Sequence, residues 1–170
     1  MKFSEKLESR RLYFRSFCEA DAESVFEYAC DEETVKYLTW KPHKDINETI
    51  STINNYLIGD GIYAILLKST DKLIGCIDFS IENDNRGTFG YVLNRKYWNN
   101  GYMSETLQRF IDYLFDEMGV EEIFGLHERE NVASGLVMKK CNMSWTHFVK
   151  DEEVLNKRAD YDHYSIKKTT

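Results

Sequence analysis

Tyr97-Trp98-Asn99-Asn100-Gly101-Tyr102-Met103-Ser104-Glu105 joins an apolar run ending near Leu93 to the clearest helical pattern of the chain. In that pattern Met103, Leu107, Phe110, Ile111, Leu114 and Met118 form one apolar stripe, and Gly119 is a natural C-terminal cap. The Asn-Asn-Gly centre tolerates positive φ and can turn successive backbone N–H groups inward as an anion-binding nest. The unsatisfied N–H groups and positive dipole end of the following helix add to it, and a pyrophosphate suits such a site. An ordinary strand-to-helix turn uses the same residue types. On local chemistry alone, the plain turn is the better reading.

Outward from this stretch, strand and helix patterns alternate irregularly. Arg11–Phe17 reads as an opening strand, and Glu19 starts a helix carrying Val25, Phe26 and Ala29. Beyond Pro42, residues 45–57 form an amphipathic pattern with Ile46, Ile50, Ile53 and Leu57. Then come strand-like runs over 62–67, 73–79 and 88–93, the first two joined by the polar turn Lys68–Lys72. After the long helix the spacing predicts a strand over 122–127, a helix over 131–141, and closing strands over 145–149 and 161–166 joined by a charged loop. This order means an α+β domain with a mixed sheet, not a doubly wound one. Neither linker nor repeat interrupts the chain, so 1–170 reads as a single domain.

Composition narrows the function. Twenty-two basic against twenty-nine acidic residues leave a net charge of −7, which disfavours a nucleic-acid partner. It mildly favours a cationic one, although solubility alone explains it as well. No apolar stretch approaches the roughly eighteen residues of a membrane helix. The charged start offers no signal core, so a cytoplasmic, membrane-free protein is expected. Cys18, Cys30, Cys76 and Cys141 form no C-x-x-C pair and sit among apolar neighbours, predicting buried, reduced thiols. His43, His127, His147 and His163 lack metal-ligand spacing, so no metal is expected.

Gly59-Asp60-Gly61-Ile62-Tyr63-Ala64 has the letters of a dinucleotide fingerprint but follows a helix and opens a strand. The fingerprint needs the reverse order, so this is a loop. Asn131-Val132-Ala133-Ser134 follows a strand and opens a helix, where Asn131 is a good N-cap. Ser134 in the first turn needs no special role on propensity grounds.

Together these features resemble the GCN5-related N-acetyltransferase (GNAT) family, in particular its RimJ/RimL-like branch that acetylates protein N-termini. The resemblance covers nearly the whole chain. It runs through Leu7–Arg15, Tyr37–Pro42, Leu73–Ile77, Gly90–Leu93, Tyr97–Glu105 and Asn131–Ser134, with the opening Arg-Leu and Gly-Tyr-Met-Ser-Glu the more specific parts. It implies a mixed sheet of six or seven strands splayed like a V, about four flanking helices, and acetyl-CoA as co-substrate. Leu93 would face the pantetheine arm and the acetyl carbonyl. Trp98, Asn99, Asn100, Gly101, Tyr102, Met103 and Ser104 would hold the pyrophosphate, chiefly by backbone N–H groups. Asn131 would contact the pantetheine, and Ser134 would stand near the thioester sulfur. The family's Q/R-x-x-G-x-G/A keeps only Gly101 here. Its usual tyrosine acid is Met138, and the Gly-Phe that usually ends that helix is Asn142-Met143, read as a packing change.

The implied reaction is direct attack of a primary amine on the thioester in a ternary complex. An α-amine, of pKa about 8 against about 10.4 for lysine, needs the weaker base. Catalysis would rest on a backbone donor at Leu93 and on the Ser134 hydroxyl. Glu105 and His127 are weak base candidates, and a water relay leaves no sequence trace. Tyr37, Trp40, Tyr63 and His127 are candidates for the acceptor pocket, though aromatic residues at such places are often core. Polyamine, amino-acid or aminoglycoside acceptors, or a non-catalytic acyl-CoA sensor, remain alternatives, as do monomer and homodimer.

Overall fold

The computed structural model describes residues 7–82 and 84–169. Eight strands form one mixed sheet in the order β1-β2-β3-β4-β5-β6-β8-β7. They are β1 (Leu7–Glu8), β2 (Leu12–Arg15), β3 (Ile62–Leu67), β4 (Leu73–Ile81), β5 (Arg86–Leu93), β6 (Glu122–Glu128), β7 (Ser144–Val154) and β8 (Lys157–Lys167). The helices are α1 (Ala22–Ala29), α2 (Glu32–Val35), α3 (Ile46–Thr52), α4 (Tyr102–Asp116) and α5 (Val132–Lys140). The chain divides into two compact units: the part up to Asp78 with Tyr91–Tyr102, and Phe79–Gly90 with the part from Met103 onward.

In the first unit β2 and β3 run antiparallel, Leu12 opposite Leu67 and Phe14 opposite Ile65, and β3 continues against β4. The apolar run Ile62–Leu67 is buried almost throughout, as expected of a strand covered on both faces. Phe17, Val25, Tyr28, Ala29, Ile53, Ala64, Leu66 and Cys76 close its core. Asp45 opens α3 by accepting the N–H groups of Asn47 and Glu48 at 2.8 and 3.0 Å, a helix N-cap of the usual chemistry. The Arg15 guanidinium meets Asp21 in a fork of two 2.7 Å bonds. Burial works to raise the Asp21 carboxyl, but the bonds from Arg15 and from the Cys18 backbone outweigh it and hold the carboxyl below its usual range.

In the second unit α4 buries Met103, Thr106, Leu107, Phe110, Ile111, Tyr113, Leu114 and Phe115. Tyr113 meets Phe79 and Phe110 edge-on, and the Phe79 and Phe110 rings pack tilted against each other. Strand β5 pairs parallel with β6 over Arg86–Thr88 against Glu122–Phe124. One residue on, the Phe89 ring covers Gly125 so closely that a Cβ there would lie 2.5 Å from it. That packing marks where the parallel ladder ends.

The structure corrects several expectations. Among the described residues the sheet has eight strands, not six or seven, because Leu7–Glu8 adds an edge strand. A fifth helix, α2, forms where Asp31 accepts from Thr34 N–H at 3.1 Å. The amphipathic pattern over 45–57 splits into α3 and a π-turn over Ile53–Leu57. The charged stretch between the last two strands is not a loop. It pairs Glu153 with Arg158 and Glu152 with Ala159 across a hairpin, turned by Leu155 and Asn156, both at positive φ. Opposite charges across the ladder make strand pairing favourable there. Two thiols also differ from expectation: Cys18 and Cys30 are exposed at helix ends, whereas Cys76 and Cys141 are buried. Burial pushes the Cys141 thiol up to about 11 and that of Cys76 further.

Candidate active site

The loop between β5 and α4 takes its shape from the ends of its own segment. After Leu93, Asn94 accepts the Lys96 N–H at 3.0 Å and opens a single 3₁₀ turn over Arg95–Tyr97. The Asn94 N–H is bonded back to Ile74 at 2.8 Å. Trp98 then returns its indole N–H to the Leu93 carbonyl at 2.7 Å. Asn99 and Gly101 both adopt positive φ, 61° and 75°, the left-handed conformation that asparagine and glycine accept most readily. The Asn100 side chain bonds the carbonyls of Tyr97 and Trp98 at 3.3 and 2.9 Å. Residues 98–99 form a hydrogen-bonded turn, and among the described residues no acceptor takes the N–H groups of Asn99 and Gly101. Exposed backbone donors in such a turn make an anion site, so these residues fit a diphosphate.

Arg11 reaches the same loop from the bend before β2. Its Nη1 donates to the Asn100 carbonyl at 3.0 Å, and its guanidinium lies 4.3 Å over the Tyr102 ring. Sequence reasoning gave Arg11 no role. The only signal was its place in the Arg-Arg-Leu stretch, and 89 residues separate it from Asn100.

The candidate acceptor residues of this unit behave differently from one another. Tyr63 is buried within β3, and Trp40 is 36% exposed with its ring 5.3 Å from that of His43. Tyr37 is half-buried beneath the Lys36 ammonium.

In the second unit Asn131 caps α5, its side-chain oxygen accepting the Ser134 N–H at 3.3 Å. Ser134 is half-buried in the first turn. Gly135 and Met138 point inward, and the Met138 methyl stands 3.3 Å from where a Gly125 Cβ would be. Position 138 is therefore core. Asn142 takes φ 59° just past the helix and Met143 is buried. Asparagine thus occupies the left-handed position that glycine commonly fills at a helix end.

His127 is only 7% exposed and lies beneath α5. Its Nδ1 is 2.7 Å from the Glu128 carbonyl, its ring packs on Tyr164, and its Nε2 has no partner among the described residues. A Cβ on Gly135 would come within 2.5 Å of that Nε2. The Ser104 carbonyl receives the Cys141 thiol at 3.3 Å. Glu105 is half-buried and engaged. Among the described residues no cluster of three or more His, Cys, Asp or Glu could hold a metal, and no helix is long and apolar enough to cross a membrane.

A mixed sheet of this order, with an amide-lined turn ahead of its longest helix, is the framework of an acyl-transferring enzyme. The sequence pattern of the acetyltransferase (GNAT) domain matches residues 11–144, and the chain belongs to that family. It is an N-acetyltransferase that takes its acetyl group from acetyl-CoA. An uncharacterized N-acetyltransferase of Bacillus subtilis, YnaD, is 32% identical over 145 residues, 84% of each chain. The crystal structure of a GNAT-family acetyltransferase from Bacillus anthracis superposes with a TM-score of 0.87 at 29% identity, covering 95% of this chain and 98% of that one. RimL, a ribosomal L7/L12 α-N-protein acetyltransferase solved with coenzyme A, gives 0.82 at 18% identity over 96% and 98% of the two chains. That last likeness is one of fold alone.

Proposed function

We propose that the chain, acting as one catalytic domain over 1–170, acetylates the α-amino group of protein N-termini, as the RimJ/RimL-like resemblance implies. The observation that carries donor binding is the exposed turn ahead of α4, in which the backbone N–H groups of Asn99 and Gly101 have no acceptor among the described residues. The loop amides of Asn99, Asn100 and Gly101 with those of Tyr102 and Met103 at the start of α4 take the diphosphate, Trp98 and Ser104 flank it, and Leu93 meets the pantetheine arm. In the second unit, Asn131 binds the pantetheine and Ser134 serves the sulfur.

Acetyl-CoA supplies an activated acyl group as a thioester. The backbone N–H of Leu93 stabilises the carbonyl oxygen as the acceptor nitrogen forms its bond to carbon. Removing one such donor in acyl-transfer enzymes costs about 3 kcal/mol. The Ser134 hydroxyl donates a hydrogen bond to the departing thiolate as the C–S bond breaks, and the thiolate takes up the proton that the acceptor nitrogen gives up as the amide forms, leaving coenzyme A as the free thiol. Met138 offers no proton, and His127 is enclosed beneath α5. An acceptor that loses its proton unaided near neutral pH suits this machinery, and an α-amine of pKa about 8 does so far more readily than lysine at about 10.4. Tyr37 and Trp40 belong to the acceptor side in this reading, whereas Tyr63, buried within β3, drops out of it. The protein acts without nucleic acid or membrane, as a monomer or homodimer.

The test is thiol release from acetyl-CoA with three acceptors: ribosomal-protein N-terminal peptides, Nα-blocked lysine peptides and spermidine. Release with the N-terminal peptides, reduced about tenfold in kcat by Ser134→Ala with little change in KM, is the expected result. Release with spermidine alone replaces the acceptor by a polyamine. Coenzyme A binding without release from any amine makes the protein a sensor.

A further inference from the structure

The two most specific stretches of sequence, Arg-Leu at the start and Gly-Tyr-Met-Ser-Glu before α4, meet through one side chain. Arg11 is anchored at its own backbone, where its carbonyl accepts the Lys68 N–H at 2.9 Å. Its guanidinium engages Asn100 and Tyr102 and passes beside Gly101 between them. Nη1 donates to the Asn100 carbonyl at 3.0 Å, Nη2 stands 3.6 Å from where a Cβ on Gly101 would be, and the plane rests 4.3 Å over the Tyr102 ring.

We propose that Arg11 is the positioning residue of the diphosphate loop, orienting the Asn100–Gly101 peptide so that its N–H faces the donor. The inference rests on the reading of this loop as the diphosphate site. The carbonyl and N–H of a trans peptide point in opposite directions. Holding the Asn100 oxygen toward Arg11 therefore turns the Gly101 N–H to the other side. A cation on the carbonyl also polarises that peptide and strengthens its N–H as a donor. Gly101 at φ 75° has little conformational restraint of its own, so an external hold decides which way the peptide faces. Only a planar fork both stacks on the Tyr102 ring and donates along its edge, which lysine does not do.

The experiment compares KM for acetyl-CoA with KM for S-acetylpantetheine, which lacks the diphosphate, in the wild type and in Arg11→Met. The expected result is a rise of about tenfold in KM for acetyl-CoA, with kcat at saturation and KM for S-acetylpantetheine within about twofold of wild type. Arg11→Lys should recover only part of the loss. If Arg11→Met proves unfolded by its melting curve, Tyr102→Leu, which removes the ring under the guanidinium, should show the same donor-selective loss on a smaller scale. Equal weakening for both donors, or none, overturns the assignment. A wild type that treats the two donors alike overturns the loop reading itself, and the role of Arg11 falls with it. A wild-type preference that survives unchanged in Arg11→Met removes Arg11 alone.

Discussion

The indole N–H of Trp98 donates to the carbonyl of Leu93 at 2.7 Å, tying the first residue of the donor loop to the last residue of β5. The short 3₁₀ turn between them is thereby closed at both ends, and the amides that follow start from a fixed point. Trp98→Phe keeps the ring and loses the donor. It should cost about 1 kcal/mol of stability, lowering the melting temperature by about 2–4 °C for a chain of this size. KM for acetyl-CoA should rise a few-fold while kcat holds. A melting curve and a donor titration check both.

Gly75 of β4 stands close against the end of β5. A Cβ there would lie 2.3 Å from the Val92 carbonyl oxygen and 3.1 Å from Leu93 Cα, both backbone atoms. Gly75→Ala must push the two strands apart, and overpacking of this kind costs about 1–3 kcal/mol. Because the displaced atoms include Leu93, activity per folded molecule should fall as well. Chemical denaturation with a thiol-release assay on the folded fraction separates the two effects.

Asn142 tests how the end of α5 is held. At φ 59° an alanine pays the left-handed penalty of about 1–2 kcal/mol, whereas glycine pays none. Asn142→Ala should therefore melt lower than wild type, and Asn142→Gly should melt at or above it. Equal melting of the two variants contradicts this account.

Acid stability should depend on Glu27. Hydrogen bonds from Lys72 and Lys96 hold its carboxyl down at about 2 from an ordinary 4.5, with the Lys72 ammonium 2.7 Å away. A carboxyl lowered by folding contributes stability above its unfolded value and loses it as pH falls toward its folded one. The loss belongs to the window between about 4.5 and about 2. Glu27→Gln should flatten the stability profile there, and at neutral pH should cost on the order of 1 kcal/mol given its partial exposure. Urea unfolding at several pH values measures the slope.

The elements legible in the sequence are those whose periodicity coincides with burial. The apolar run over Ile62–Leu67 emerges as β3 with its predicted bounds, and the stripe from Met103 to Leu114 as the buried face of α4, whereas Met118, expected to extend it, lies past the helix end and is half-buried. The sharp turn at Asn-Asn-Gly was equally readable, because positive φ restricts residue choice. The hairpin β7–β8 was not. Its charged residues look like a loop until the cross-strand partners Glu153 and Arg158 are brought 2.9 Å apart. His127 likewise reads as a base or acceptor-pocket candidate, since nothing local shows that Gly135 leaves room for its ring beneath α5.

What the chain's order of residues determined alone is local: which segments twist into strands or helices, where the turns fall, and that backbone amides gather ahead of α4. These follow from propensities and spacings within a few residues. Only the tertiary structure decided that the Arg11 guanidinium lies on Tyr102, that Tyr63 and Met138 are interior, and that Trp98 closes on Leu93. Such contacts depend on which segments the folded sheet sets side by side, and short-range spacing carries no record of that.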